Sequence, residues 1–342
     1  MSAGNNDIFA GMVASTLAAP DGRVVDYLRL SITDRCNERC LYCMPEGYKG
    51  WQSREDTLTD DEIIRLVKVA AGLGFRKFRV TGGEPLVRKG VVDLIRRIWE
   101  VPGVEMLGLS TNGVMLEKLA QPLRQAGLCG ANISLDALDP AIYHRVTGGD
   151  LVRVLAGIEA ALAAGFDKIK LNCVLMRGVN EQEILPLVEY AGARKIPMRF
   201  IELMPLTRRD VLSEENFFPV ADVMKILRAH DELVPVDKER ERIGNGPARY
   251  YRLQRTGALV GVIGALTEAC FCERCNKMRV TADGLLRPCL GDALEFDLKS
   301  ALRGGNDDDV VQVFLAALAK KPLAHGFKDV YQPLRPMTAI GG

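Results

Sequence analysis

With 342 residues and 48% hydrophobic content, the chain can bury a large core as one domain or as a large domain beside a small one. Lys and Arg total 45 against 44 Asp and Glu, and a net charge of +1 argues against a general nucleic-acid surface, which needs a basic excess. Nine Cys beside three His argue against a His-rich zinc hydrolase, and spaced Cys in a reducing cytosol more often bind metal than form disulfides. Met1 to Pro20 lacks the charged start and continuous apolar core of a signal peptide. No stretch approaches a membrane span, so the expectation is a cytoplasmic protein that binds neither membrane nor nucleic acid.

The first predicted strand, Tyr27–Thr33, leads into Cys36, Cys40 and Cys43, a Cys-x3-Cys-x2-Cys triplet with Tyr42 just before its last thiol. Three thiolates can hold three irons of a cubane iron–sulfur cluster and leave the fourth open to a cofactor. Structural zinc would want a fourth Cys or His, and none lies near. Thr59-Asp60-Asp61-Glu62 is a capping box that opens the helical run Ile63–Leu73. Strand Lys77–Thr81 runs into Gly82-Gly83-Glu84-Pro85. There, two glycines would let backbone approach a ligand, and Glu84 could accept hydrogen bonds from an ammonium. Next come helix Val91–Glu100, strand Glu105–Ser110, helix Leu116–Ala126, strand Ala131–Asp136 and helix Leu151–Ala164. Strand Lys168–Leu175, helix Glu181–Ala191, strand Met198–Leu203 and helix Val220–His230 complete the series. Repeated alternation of this kind implies a parallel sheet with helical crossovers.

Successive strand side chains face opposite ways. Arg29, Ser31 and Thr33 therefore oppose Leu28, Leu30 and Ile32, and Lys77, Arg79 and Thr81 oppose Phe78 and Val80. Likewise Asn132, Ser134 and Asp136 oppose Ile133 and Leu135, while Lys168, Lys170 and Asn172 oppose Ile169, Leu171 and Cys173. A parallel strand buried on both faces should be nearly continuously apolar, and these are not. If helices cover the apolar faces, a curved or barrel-like sheet must enclose something polar. Cations gathered there need a compensating anion.

Residues 231–250 are charged and glycine-containing and read as a linker. Strands Arg249–Gln254, Leu259–Gly264 and Lys277–Thr281, a helix at Val310–Lys320 and an irregular tail from Phe327 follow. Within them lie Cys270, Cys272, Cys275 and Cys289, whose spacing suits either a zinc site or a second iron–sulfur cluster.

The first triplet resembles that of the radical S-adenosylmethionine (SAM) superfamily. A longer set of segments occurs in order. It comprises Leu28-Arg29-Leu30-Ser31-Ile32-Thr33-Asp34-Arg35-Cys36-Asn37, the Gly-Gly-Glu-Pro turn, Ser110-Thr111-Asn112-Gly113, Arg199-Phe200-Ile201-Glu202-Leu203-Met204, Phe271-Cys272-x2-Cys275-Asn276-Lys277-Met278-Arg279 and terminal Gly341-Gly342. Together they resemble the GTP 3′,8-cyclase family over about residues 22–342.

The resemblance implies an α/β fold, an incomplete (βα)6 barrel with a smaller C-terminal α+β domain. The implied divisions are an extension at 1–21, a barrel at 22–235, an iron–sulfur domain at 236–330 and a tail at 331–342. It implies two 4Fe–4S clusters, one on Cys36, Cys40 and Cys43 and one on Cys272, Cys275 and Cys289, the second with an open iron for guanine. Tyr42, Gly83, Glu84, Ser134 and Met204 match SAM contacts. Arg29, Arg79, Ser110, Lys170, Lys277, Met278 and Arg279 match GTP contacts, with Lys77 and Arg199 nearby. Arg29 and the tail glycines Gly341 and Gly342 match residues needed for turnover. The expected chemistry is abstraction of the ribose 3′ hydrogen of GTP by a deoxyadenosyl radical, then closure onto guanine C8. Expected partners are GTP, an electron donor such as flavodoxin or ferredoxin, cyclic pyranopterin monophosphate synthase as product acceptor, and a second copy in a homodimer.

Two positions depart from the family. Lys277 stands where Arg is common, keeping charge without the bidentate fork. Cys270 adds a thiol, expected not to ligate. The rival readings are a radical SAM enzyme acting on a peptide and a non-catalytic zinc or iron–sulfur protein.

Overall fold

Strand parity organises the molecule seen in the computed structural model, which describes residues 17–44, 48, 50–206, 213, 215–244, 246–327 and 335–342. Six strands alternate with helices as expected. They are β1 (Tyr27–Ser31), β2 (Lys77–Thr81), β3 (Met106–Thr111), β4 (Gly130–Ser134), β5 (Lys168–Leu175) and β6 (Met198–Glu202). Between and after them lie α1 (Asp60–Leu73), α2 (Val91–Trp99), α3 (Leu116–Gln125), α4 (Pro140–Thr147), α5 (Leu151–Ala163), α6 (Ile184–Ala193) and α7 (Val220–His230). The six strands pair in parallel and in sequence order. Leu28, Phe78, Leu109, Ile133, Leu171 and Phe200 point to one side and are buried against the helices in one large core. The capping box forms as read: Thr59 Oγ1 accepts from Glu62 N at 3.2 Å and Glu62 Oε2 accepts from Thr59 N at 2.8 Å.

The remaining elements are β7 (Leu233–Val236), β8 (Arg249–Leu253), β9 (Leu259–Ile263), β10 (Lys277–Val280), β11 (Leu285–Arg287), β12 (Phe296–Asp297), α8 (Leu298–Gly304), α9 (Asp307–Ala319) and α10 (Met337–Ile340). All strands belong to one sheet of order β12-β11-β10-β1-β2-β3-β4-β5-β6-β9-β8-β7. Thus β10 joins β1 in parallel on one edge and β9 joins β6 in parallel on the other. The C-terminal strands extend the barrel sheet at both edges.

Two expectations need correction here. The stretch read as a linker contains β7, which pairs with β8 in an antiparallel hairpin. The tail read as irregular contains α10. Most of the expected extension at 1–21, and residues 331–334 of the expected tail, lie outside the described residues. No helix among the described residues is long and apolar enough to cross a membrane.

Candidate active site

The polar strand faces enclose a cavity of about 710 Å³. Both cysteine triads line it, Cys36, Cys40 and Cys43 in one group and Cys272, Cys275 and Cys289 in the other. Between them lie Arg29, Lys77, Arg79, Lys170, Arg199, Lys277 and Arg279. Register makes the crowding plain. Arg29 on β1 sits level with Arg79 on β2 and Arg279 on β10, so three guanidinium stems stand abreast at adjacent-strand spacing. One row below, Tyr27 lies level with Lys77 and Lys277.

Among the described residues, only Lys77 of these cations has a carboxylate partner, Asp26 at 2.7 Å. Arg79 instead donates to Tyr27 Oη and to the Leu109 carbonyl, each at 2.5 Å. Arg29 Nη2 donates to Ser110 Oγ at 3.2 Å, which accounts for Ser110, while Arg29 Nε and Arg199 Nε are buried with no acceptor. Burial, then the charges of Arg199 and Arg79, pull Lys170 down to about 6. Burial also takes Lys277 down to about 8 and Arg279 to about 10, and holds Arg29 well below its ordinary value with Arg279 the largest neighbouring charge. Such a set is costly without an anion among it.

Glycines make the room. A Cβ at Gly108 would lie 2.8 Å from Arg79 Nη2, one at Gly261 2.9 Å from Arg199 Cγ, and one at Gly244 2.2 Å from Lys170 Nζ. Gly108 and Gly261 were not singled out in the sequence, where nothing local marks a glycine as the cross-strand neighbour of an arginine.

The tail enters the same cavity. Gly342 O accepts from Thr81 Oγ1 at 2.6 Å and from Arg29, and Gly341 O accepts from Arg279 at 2.5 Å. Gly341 has a φ of +87°, and a Cβ there would meet Thr81 Cγ2 at 2.7 Å. The Met278 side chain is 1% exposed and packs in the hydrophobic core, opposite in parity to Lys277 and Arg279, which leaves its backbone to face any ligand.

The first triad lies against carboxyls. Tyr42 Oη donates to Asp136 Oδ2 at 2.8 Å, and Tyr143 Oη donates to Glu38 Oε1 at 2.9 Å. Burial pushes Glu38 and Glu84 up to about 7 and Asp136 to about 6. Glu38 and Tyr143 escaped the sequence reading because Glu38 sits inside the triplet and looks like solvated filler. Burial likewise pushes the Cys36 and Cys43 thiols up to about 12, and Cys40 well above its usual range. Thiols so placed give up their protons to a metal, not to water.

Glu84 is already engaged. Its oxygens accept from Leu86 N at 2.9 Å, Thr111 Oγ1 at 2.8 Å and Asn112 N at 2.7 Å. Its firm role is therefore to tie the turn after β2 to the end of β3. The glycines beside it were expected to admit a ligand; they admit the cysteine loop. Gly83 N donates to Thr33 O at 2.8 Å, and a Cβ at Gly83 would lie 2.4 Å from Arg35 O. Gly83 still borders the cavity, as do Ser134 and Met204.

The second triad has cationic company. Lys321 Nζ lies 3.7 Å from Cys275 Sγ, and His325 N donates to Cys272 Sγ at 3.4 Å. Cys275 is lowered from its usual value: burial raises it, but Lys321, Lys277 and Arg279 together outweigh burial. Cys270 is exposed and absent from the cavity lining, in keeping with a non-ligating thiol. No three His, Cys, Asp or Glu side chains among the described residues converge on a single-ion site, whereas a cubane takes one thiol at each of separate irons. Both triads, three thiols apiece at one cavity, suit that group.

Residues 30–191 match the radical SAM superfamily, and 196–327 match the family described as Molybdenum Cofactor Synthesis C. A GTP 3′,8-cyclase of Pelotomaculum thermopropionicum is 42% identical over 322 residues, 94% of this chain and 98% of that one. One from Hydrogenovibrio crunogenus is 40% identical over 333 residues, 95% of this chain and 99% of that one. Among solved structures, SuiB of Streptococcus suis bound to precursor peptide SuiA superposes with a TM-score of 0.62 at 14% identity, covering 84% of this chain and 65% of that one. The anSMEcpe structure with bound AdoMet gives 0.56 at 17% identity, covering 82% and 81%. These two speak for the fold alone. The relatives matched along nearly their full length go further, and the chain belongs to the GTP 3′,8-cyclase family of the radical SAM superfamily.

Proposed function

We propose that the chain converts GTP into (8S)-3′,8-cyclo-7,8-dihydroguanosine 5′-triphosphate, the first step of molybdenum cofactor biosynthesis. The observation that carries this reading is the set of inward-facing cations lying between two thiol triads, of which Lys77 alone has an Asp or Glu partner among the described residues. A triphosphate supplies the missing charge, and each guanidinium or ammonium then makes a charge-assisted hydrogen bond.

Cys36, Cys40 and Cys43 would hold a 4Fe–4S cluster that, with SAM bound, supplies one-electron reduction and a carbon-centred radical. Cys272, Cys275 and Cys289 would hold a second cluster, whose open iron suits a guanine donor atom. The chain's own work is positioning and exclusion. Arg29, Arg79, Arg279, Lys277, Lys170 and Arg199 bind the triphosphate and fix the ribose against the SAM end of the cavity. Tyr42, Gly83, Ser134 and Met204 border that end, with Glu84 bracing the turn. Lys77, paired to Asp26, contributes less direct charge than its neighbours. Gly341 and Gly342 bring backbone carbonyls to Arg29 and Arg279 without side chains, so the tail can narrow the cavity while leaving room for substrate.

An electron donor such as flavodoxin or ferredoxin, cyclic pyranopterin monophosphate synthase as acceptor of the product, a homodimeric state and a cytoplasmic location belong to the same reading. A peptide substrate is the rival that the solved neighbours suggest, and clustered cations favour a polyphosphate over it. The test is anaerobic incubation of the reconstituted protein with SAM, reductant and GTP, with products weighed by mass spectrometry. A species isomeric with GTP that carries the 3′,8 bond supports the reading. Unaltered GTP beside SAM cleavage would refute it.

A further inference from the structure

One buried cation lies against the second triad and outside every residue assigned above. Lys321, just past α9, is 5% exposed. Its Nζ is 3.7 Å from Cys275 Sγ and donates to the carbonyls of Lys277 and Pro288 at 2.7 Å each. Lys277 stands two residues after Cys275, and Pro288 immediately precedes Cys289. One ammonium therefore clips together the two chain segments that present Cys275 and Cys289. No carboxylate among the described residues lies within ion-pair distance of it, and a buried ammonium without counter-charge is unfavourable. Thiolates ligating iron would bring that counter-charge.

Buried Glu38, Glu84 and Asp136 stand near the first triad, where Arg39 Nη1 donates to the Cys36 carbonyl at 2.9 Å, whereas the buried side chain against the second triad is Lys321, with no carboxylate beside it among the described residues. Adding an electron to a cluster is easier beside a fixed positive charge and beside donors to its sulfurs.

We propose that Lys321 is a positioning residue for an iron–sulfur cluster on Cys272, Cys275 and Cys289, holding the Cys275 and Cys289 segments in register and raising that cluster's reduction potential through its charge. The proposal rests on the reading that this triad holds such a cluster. Its test uses the full chain, reconstituted anaerobically, as wild type, Lys321→Gln and Lys321→Arg. Each is also made with Cys36, Cys40 and Cys43 replaced by Ala, so the second cluster is read alone. Iron content and EPR-monitored potentiometric titration are the readouts.

In Lys321→Gln the second cluster's midpoint is expected to move to more negative potential, or its iron to be lost, while the first cluster's midpoint stays put. Lys321→Arg is expected to return both properties toward wild type. Retained iron with an unshifted midpoint in Lys321→Gln would overturn the proposal, as would an Arg variant no better than Gln. Absence of iron from the chain with an intact Lys321 and only the second triad would instead overturn the reading of that triad, before any Lys321 variant is measured.

Discussion

Arg29 shows how much of the site one residue can report. Its parity on the first strand placed it on the polar face with Ser31, and the same counting placed Arg79 and Lys170. Strand alternation sends the Met278 side chain into the core between Lys277 and Arg279. Arg79→Ala should weaken GTP binding by about 1.5–3 kcal/mol, the range for a hydrogen bond to a charged group. Calorimetry checks this, and unchanged affinity would remove Arg79 from the substrate site. Lys170 gives a pH dependence. With its value drawn down to about 6, the free protein has Lys170 largely neutral at neutral pH, while a bound triphosphate restores the charge and raises the value. The complex then holds more protons than the free protein between about pH 6 and that raised value. Affinity should fall as pH rises through this window, by at most about tenfold per unit. Calorimetry at about pH 8 in buffers of differing ionisation enthalpy should show proton uptake on GTP binding, lost in Lys170→Met. Identical uptake in the variant would reject the assignment.

Among the elements, the turn after β2 illustrates what a motif reveals and conceals. Two consecutive glycines announced a close approach, but only the fold shows that the approaching group is the Thr33–Arg35 backbone. Gly83→Ala should overpack this contact and cost about 1–3 kcal/mol. It should lower iron at the first triad while sparing the second, as read by elemental analysis and EPR; full iron at both would contradict the packing role. Strand β7, the outer arm of the β7–β8 hairpin, was missed because Pro235 and flanking charges read as loop, whereas β8 was expected at Arg249–Gln254. A strand at the sheet's outer edge tolerates proline, since one row of its backbone groups needs no partner. Helix α4 was missed although Asp139 caps it and Pro140 opens it, because eight residues give too few periods to stand out.

For the whole molecule, the sheet order matters most. Sequence alternation implied a parallel sheet with helical crossovers, and the family resemblance a (βα)6 barrel, but no local pattern told that β10 and β9 would join its two edges. That pairing sets Lys277 and Arg279 beside Arg29 and brings the second triad to the cavity. The tail is held by Arg335, whose Nη1 donates to Asp283 at 2.6 Å and Nε to Glu295 at 3.1 Å. Removing Gly341 and Gly342 should leave iron content intact yet abolish cyclisation; full turnover would show that the tail carbonyls are incidental. The most direct measurement of the central claim, that the buried cations form a triphosphate site, is calorimetric titration of the anaerobic protein with GTP, GDP and guanosine. Affinity should fall stepwise as phosphates are removed, and guanosine binding as tightly as GTP would contradict it.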